Sequence, residues 1–588
     1  MDNKSIAAVF YEAADLMEIN GDDSFRIRSY RRAAEALEGH SRQVSELCDD
    51  TKQLLEIPGI GKGMAANIQE LTQTGKLKLH QELLSRYTPS MLELFKIQGL
   101  GPKTIALIWS AFQVGDLAGV ENLAKEGKLR TLPRMSEKSE QKVLKAIEDY
   151  RRISGRFLID EADRTAEKLR EHLRDYKGID AITPAGSLRR GRETVGDLDV
   201  LITGPACDDD TKRAALIDEV SRFPGVNQIL AKGGNKISFK LRSGLQVDVR
   251  TLSPNSYGAG LQYFTGSKNH GVALRQRALK MGLTLNEYSL SRIDNEEWVA
   301  SKTEEDIYHA LKLDWIPPEL RENTGEIEAA EKHQLPNLIT LDDVRGEVHM
   351  HTVETDGRNT IEEMAEAAKK RGYKYIAITD HSKNLAMANG LDDKRALEHI
   401  ARIQDVNKRV EGITVMTGIE VDILADGTLD LSDSVLEQMD VVVASVHSAF
   451  NQEKAQMTDR LLCAINNKNV SILGHPTGRL QLRRDAYEFD FEALLKTARG
   501  NRVAMELNAY PDRLDLNDVH LRMARDRGVK IVINTDAHHV SHFEKIKYGI
   551  LQARRAWLTA NDVLNTLPEK EFRRAMKHDW PEITVKPS

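Results

Sequence analysis

Cysteine is nearly absent. The 588-residue chain holds three, Cys48, Cys207 and Cys463, far apart and in no Cys-x-x-Cys pair, which excludes a disulfide framework and a thiolate zinc site. Long apolar runs are missing too. The first twenty residues, MDNKSIAAVFYEAADLMEIN, carry acids at helical spacing where a signal peptide needs continuous apolar sequence, and no later segment approaches a membrane span. A cytoplasmic protein without a membrane partner is expected. Neither charge sign is in large excess: 83 Lys and Arg against 90 Asp and Glu leave a net charge of -7. That balance excludes a uniformly basic nucleic-acid binder but not local basic patches. Hydrophobic residues at 40% and charged residues at 29% are globular proportions, and the length implies several domains at roughly 100 to 200 residues each.

The texture changes along the chain. From Met1 to about Tyr150, apolar residues recur at three and four (Ile6, Val9, Phe10, Ala13, Leu16, Met17), the period of helices. Between about Arg156 and Leu313, helical segments alternate with short strand-like runs, DLDVLIT, KISFKLR and LQVDVRT, bounded by Gly, Pro or Asn. The stretch IPPELRENTGEIEAAEKHQLPNLI has prolines and mixed charge without sustained apolar period and reads as a linker. Beyond it come seven strand-then-helix units: GEVHMH, YIAITDH, ITVMTGIE, VVVASVH, VSILGHP, RVAMELN and VKIVINTDAH. This is the pattern of a parallel β/α barrel, one unit short of eight, so a distorted barrel is expected.

Each of those strands ends in a metal-ligand residue: His349 and His351, Asp380 and His381, Glu420, His447, His475, Glu506, then Asp536 and His538. Two residues apart on a strand, His349 and His351 project from one face and can grip one ion; Asp536 and His538 repeat the arrangement. One histidine at a strand end is most often a hydrogen-bonded loop or core residue; seven successive ends are not coincidence. The motifs HMH, TDH, GIE, SVH, GHP and TDAH resemble the PHP (polymerase and histidinol phosphatase) family over about 240 residues. Imidazoles and carboxylates without thiolate suit zinc, manganese or iron, and the resemblance implies a three-ion site: His349, His351, Glu420 and Asp536 on one ion, Glu420 bridging to a second with His447 and His475, and Asp356, His381 and His538 on a third. Asp356 stands where the family often has histidine. Clustered divalent ions suit phosphoester hydrolysis. Arg479, Arg483 and Arg484 follow GHP and are candidates for substrate phosphate.

In the middle of the chain, AGSLRRGRETVGDLDVLIT joins a Gly-Ser turn and arginines to Asp197 and Asp199, which share a strand face, while Asp248 in LQVDVR can meet them across a sheet. Three facing carboxylates are costly unless cations neutralise them, and oxygen ligands beside phosphate select magnesium. With YFTGS, these residues resemble the nucleotidyltransferase palm of family X DNA polymerases. The resemblance implies that Asp197, Asp199 and Asp248 bind two magnesium ions, with Asp248 activating the primer 3′ hydroxyl. It implies that Gly186, Ser187, Arg190 and Gly196 meet the triphosphate, that Tyr263, Phe264, Gly266 and Ser267 shape the sugar pocket, and that Arg275 contacts the template. Gly271 replaces an asparagine common in the family, which leaves nucleotide selection looser or shifts it to His270 or Asn269.

Two segments of the helical region, IPGIGKGMAANI and IQGLGPKTIALIW, share a pattern of two glycines flanking an apolar residue before a helix start. Gly59, Gly61 and Lys62, and Gly99, Gly101 and Lys103, can present free amides and charge to a phosphate backbone. One copy is more simply a glycine-capped turn; two, about forty residues apart, read as helix-hairpin-helix DNA binding. Arg26, Arg28, Arg31 and Arg32 are compatible with it. Asn67 stands where lyase-active family X relatives carry a nucleophilic lysine.

The fold expected is therefore multidomain: an all-α helix-hairpin-helix N-terminal region (1–85 and 86–155), an α/β nucleotidyltransferase palm (156–252), a thumb-like subdomain (253–320), a linker (321–342) and a distorted (β/α)7 PHP barrel (343–588). The function expected is a monomeric repair polymerase using dNTPs on gapped or nicked duplex DNA, with a metal-dependent 3′-5′ exonuclease that extends to abasic-site or 3′-end-cleaning cleavage. A DNA-binding nuclease with a vestigial polymerase half is opposed by the intact carboxylates, and a histidinol-phosphate-type phosphatase by the hairpins. A non-catalytic scaffold is opposed by complete ligand sets at both sites.

Overall fold

The computed structural model describes residues 3–38, 44–48, 51–57, 59–87, 90–97, 99–153 and 155–580, so Pro58 and Gln98 of the two glycine motifs and the terminal residues 581–588 lie outside them. The chain divides into two compact units, 1–154 and 155–588.

The first unit is helical. Residues 1–85 and 86–155, expected as separate domains, share one apolar core running from Ile6 and Phe10 through Ile68 and Leu94 to Ile147. Helices Lys62–Thr74 and Pro102–Phe112 begin directly after Gly61 and Gly101, and neither has a side-chain cap. Gly59 and Gly99 have φ of +100° and +91°, which the turn before each helix requires.

In the second unit, five strands form the palm sheet: β1 (Ala181–Pro184), β2 (Asp197–Thr203), β3 (Val226–Gly233), β4 (Lys236–Leu241) and β5 (Gln246–Leu252), in spatial order β1-β2-β5-β4-β3. The central pair β2 and β5 runs parallel, its inner residues Leu198, Val200, Ile202, Val247 and Val249 buried against helices Ile159–His172 and Asp210–Val220. Helices Tyr257–Thr265 and Lys268–Lys280 lead into a three-stranded antiparallel sheet, β6 (Leu283–Leu285), β7 (Leu290–Arg292) and β8 (Trp298–Ala300), the thumb.

The segment expected as a linker is packed. Leu320, Ile327, Ala330 and Leu338 join the thumb core, and Arg321 is fully buried with Nη1 2.6 Å from Glu304 Oε1. Its apolar residues are spaced by short helical turns, Pro318–Leu320 and Glu326–Glu331, so no periodicity showed in the sequence.

Seven parallel strands follow in sequential order: β9 (Gly346–Glu347), β10 (Tyr375–Ile378), β11 (Thr414–Asp422), β12 (Val441–Ser445), β13 (Ile472–Leu473), β14 (Ala504–Asn508) and β15 (Ile531–Asn534). Being buried on both faces, they read as Val and Ile runs. Beyond the ends of β9 and β15, Met350 and Ala537 form a parallel bridge, with His351 N–H donating to Ala537 O at 2.9 Å. The barrel is thus nearly closed, and that bridge sets His349 and His351 beside Asp536 and His538.

Candidate functional sites

The barrel's C-terminal end gathers the expected ligands. His351, Asp356, His381 and His538 each offer a ligand atom within 4.8 Å of the others, as do His349, His351 and Asp536, and His381, Glu420 and His447. His351 and His381 are therefore each shared between groups, where the sequence reading gave each to one. His475 belongs to none of these groups but lies with Nε2 3.0 Å from Glu420 Oε1. Asp356 is the most open member, on the loop after His351, with Oδ1 3.4 Å from His538 Nε2 and Oδ2 3.6 Å from His381 Nε2.

Behind the ligands stand residues that fix their tautomers. His349 Nδ1–H donates to Glu506 at 2.6 Å, leaving Nε2 bare towards Glu420 and Asp536. His447 Nδ1–H donates to Asp422, and His538 Nδ1–H to the Asp536 carbonyl at 2.9 Å. Glu506 is thus an orienting group rather than a member of the close ligand sets. Asp380 likewise faces away, accepting from Thr352 and pairing with His399 Nε2 at 2.9 Å. Asp422 was readable in the sequence, two residues past Glu420 on the same strand face; Arg513, with Nε 3.5 Å from Asp536 Oδ2, sits in a loop and gave no such signal.

The arrangement fits divalent cations. His349 Nε2, Glu420 Oε2 and His381 Nδ1 are buried with no hydrogen-bond partner, although His381 Nδ1 lies 2.8 Å from Glu420 Oε2. Burial alone would raise the Glu420 and Asp536 carboxyls, yet His447, His349 and His381 around the first, and His349 and His351 beside the second, hold both well below the usual range. Burial would likewise lower His381 and His447, but Glu420 pushes them up to about 10 and about 9. The carboxylates therefore draw protons onto imidazoles whose lone pairs a cation would otherwise take.

The palm centre is built by strand register. Asp199 on β2 is paired directly with Asp248 on β5, and Asp197 lies two residues away on the same face. Burial, then repulsion from Asp197 and Asp248, pushes the Asp199 carboxyl up to about 7. Burial acts the same way on Asp248, but hydrogen bonds from Ser238 and Gln246 and the Lys236 ammonium at 3.1 Å bring it below its ordinary value. The Gly-Ser turn crowds this cluster: Gly186 has φ +57°, and a Cβ there would lie 2.5 Å from Asp199 Oδ2. Ser187 follows it in the short helical turn Gly186–Arg189, and exposed Gly196 precedes Asp197, near the Arg156 guanidinium.

Arg190 reaches the YFTGS turn. Its Nη1 donates to the Thr265 carbonyl at 2.5 Å and would lie 3.2 Å from a Cβ on Gly266, while Nε pairs with Glu322 at 3.1 Å. Tyr263 and Phe264 pack edge to face at 5.1 Å, with Arg275 6.0 Å from the Tyr263 ring and Arg250 4.5 Å from that of Phe264. Ser267 caps the next helix by accepting from His270 N–H at 3.3 Å. One expectation fails: His270 is fully buried, bonded to Glu326 at 2.6 Å and to the Tyr308 hydroxyl at 2.9 Å, so it cannot read a base. Asn269 is exposed.

In the helical unit, Lys62, Gly61, Gly99, Gly101 and Lys103 are exposed beside helix starts whose first-turn amides lack side-chain partners. Arg31 is committed to Asp15 at 3.0 Å and Glu18 at 2.6 Å, whereas Arg26, Arg28 and Arg32 are exposed. Asn67 donates to the Tyr30 hydroxyl at 2.7 Å.

Known proteins resemble this chain along its length. Family models match a helix-hairpin-helix domain at residues 1–77, a SAM-like helix-hairpin-helix tandem at 91–149, the DNA polymerase beta thumb at 260–322 and a PHP domain at 347–510. The protein DNA polymerase/3'-5' exonuclease PolX of Bacillus subtilis is 38% identical over 581 residues, 98% of this chain and 100% of its own length. A probable phosphatase of Caldicellulosiruptor saccharolyticus is 32% identical over 203 residues, 33% of this chain and 79% of its own. The crystal structure of Leishmania infantum polymerase beta in a ternary complex covers 40% of this chain and 98% of its own at 21% identity and TM-score 0.27, too low a score to bear on the fold.

Proposed function

The chain belongs to the PolX family, family X DNA polymerases that carry a PHP domain, and on that footing we propose that it fills short gaps in duplex DNA and trims 3′ ends with a separate phosphodiesterase centre. The observation that carries this reading is the presence in one compact unit of two separate clusters of candidate metal ligands, the facing palm carboxylates and the barrel-end histidines with their carboxylates.

Asp197, Asp199 and Asp248 hold two magnesium ions in this reading. Such ions stabilise the attacking and leaving oxygens of nucleotidyl transfer. The protein's own residues do the rest. Asp248, kept ionised by Ser238, Gln246 and Lys236, accepts the hydrogen bond of the primer 3′ hydroxyl. Gly186 lets the backbone amides of the Gly-Ser turn approach the triphosphate, Ser187 and Gly196 flank it, and Arg190 ties that turn to the Thr265 carbonyl just before Gly266. Tyr263 and Phe264 give the sugar a rigid aromatic wall, and Arg275 borders it on the template side.

At the barrel end, His349, His351, Asp356, His381, Glu420, His447, His475, Asp536 and His538 hold up to three manganese or zinc ions, which supply a nucleophile at neutral pH and neutralise phosphate charge. Glu506, Asp422 and the Asp536 carbonyl keep the imidazole lone pairs aimed inward. Gly59, Gly61 and Lys62 with Gly99, Gly101 and Lys103 hold the DNA backbone without reading sequence. The protein acts as a monomer in the cytoplasm; among the described residues no helix is long and apolar enough to cross a membrane.

Incubation with an end-labelled gapped duplex in magnesium and then manganese tests this. Extension to the gap's end with dNTPs and shortening without them is the expected pair of results. Failure to extend in either metal would remove the polymerase assignment, and failure to shorten would remove the nuclease.

A further inference from the structure

Two of the three arginines that follow the GHP motif are already engaged. Arg479 pairs with Glu193 of the palm, Nη2 to Oε1 at 2.6 Å, and its Nε donates to the Arg513 carbonyl at 3.0 Å. Arg484 lies over the Phe450 ring at 3.9 Å and donates to the Gly478 carbonyl. Arg483 is exposed, 3.8 Å from Asp512. Arg479 and Arg484 are thus committed, and Arg483 points to solvent.

Arg513 is different. Its one ion pair among the described residues is Nε to Asp536 Oδ2 at 3.5 Å, which leaves the two terminal nitrogens without a hydrogen bond. Asp536 divides its oxygens: Oδ1 faces His351 at 3.0 Å and His349 at 3.7 Å, while Oδ2 takes Asn508 Nδ2 at 3.1 Å and the Arg513 side. A guanidinium beside the outer oxygen of a cluster ligand is placed to donate its two terminal N–H groups to two phosphate oxygens.

The palm holds this arginine in place. Leu514, next in sequence, has φ +41° and is fully buried in the palm's own apolar core. Both the Arg513 and Leu514 carbonyls accept from Arg479, whose other partner is Glu193. Gln481 N–H donates to the Asp512 carbonyl at 2.5 Å, and its amide lies 3.2 Å from Glu193. A left-handed leucine is unfavourable on its own and persists where its surroundings fix it.

We propose that Arg513 binds the substrate phosphate at the barrel-end centre and that palm residue Glu193, through Arg479, is a positioning residue for it. This rests on the phosphodiesterase reading of that centre. The test uses the full chain carrying Asp197→Ala and Asp199→Ala, so that the palm takes up no nucleotide, and measures dTMP binding by calorimetry after manganese loading. Arg513→Met is expected to weaken dTMP binding at least tenfold and Arg513→Lys less, with manganese content unchanged. Glu193→Gln is expected to weaken it about threefold and to slow shortening of a labelled 3′ end by a similar factor through kcat/KM, with the melting temperature held. Unchanged dTMP affinity in Arg513→Met would overturn the phosphate assignment, and unchanged affinity in Glu193→Gln the positioning role. If the protein binds dTMP but never shortens DNA, the nuclease reading fails instead and Arg513 keeps its role.

Discussion

Replacing Asp199 by Asn should stabilise the metal-free protein while destroying nucleotide addition. In the absence of cations, burial and two neighbouring carboxylates push this carboxyl from 3.8 up to about 7. A folded-state value above the unfolded one means that the unfolded chain releases the proton first as pH rises. The penalty is therefore absent below about pH 4, grows between about pH 4 and 7, and is complete above that. The full displacement corresponds to about 4 kcal/mol, and solvent reaching the site through exposed Asp197 reduces it to about 2 kcal/mol. For a cooperative unit of several hundred residues, that is a rise in melting temperature of about 2 °C. The assay is thermal unfolding in EDTA at pH 5 and pH 8, with wild type and Asp199→Asn compared at each. The gap between them should be wider at pH 8, and magnesium should raise wild type more than the variant. Equal stability at pH 8 in EDTA would refute the strain assigned to the three carboxylates.

Gly186→Ala should cut nucleotide addition at least a hundredfold, because the new Cβ would lie 2.5 Å from Asp199 Oδ2 at a φ of +57°; shortening of 3′ ends by the same preparation should persist, and a variant that extends primers normally would refute the close approach. DNA affinity should fall steeply with salt and vary little with sequence, and Lys62→Ala or Lys103→Ala should each lower the slope of log affinity against log salt by about 0.9 at most; a salt-independent affinity would exclude the hairpin contacts. Borohydride trapping on a pre-incised abasic duplex should give no strong adduct in residues 1–85, since Asn67 is an amide bonded to Tyr30 and cannot form an imine. A robust adduct there would show that a lysine elsewhere has taken the role.

What the sequence revealed follows from how far each feature reaches. The candidate ligand clusters were legible because a period of two puts His349 with His351, and Asp197 with Asp199, on one face, and the barrel order then converges the strand ends. Asp248 needed only the parallel register of β2 and β5. The features that escaped depend on contacts between distant segments. Arg479 looked like a phosphate ligand until Glu193, 286 residues away, was seen to hold it. His270 looked available for a base because nothing nearby in sequence announces Glu326 and Tyr308 around it. The segment 321–342 looked loose because its apolar residues serve the thumb core singly, without an amphipathic period.

The most direct test of two independent centres in one chain uses two double variants on the same end-labelled gapped duplex. Asp197→Ala with Asp199→Ala should abolish extension with dNTPs and keep shortening in manganese. His349→Ala with His351→Ala should keep extension and abolish shortening. If either folded variant lost both activities, the separation of the palm and barrel centres would be contradicted.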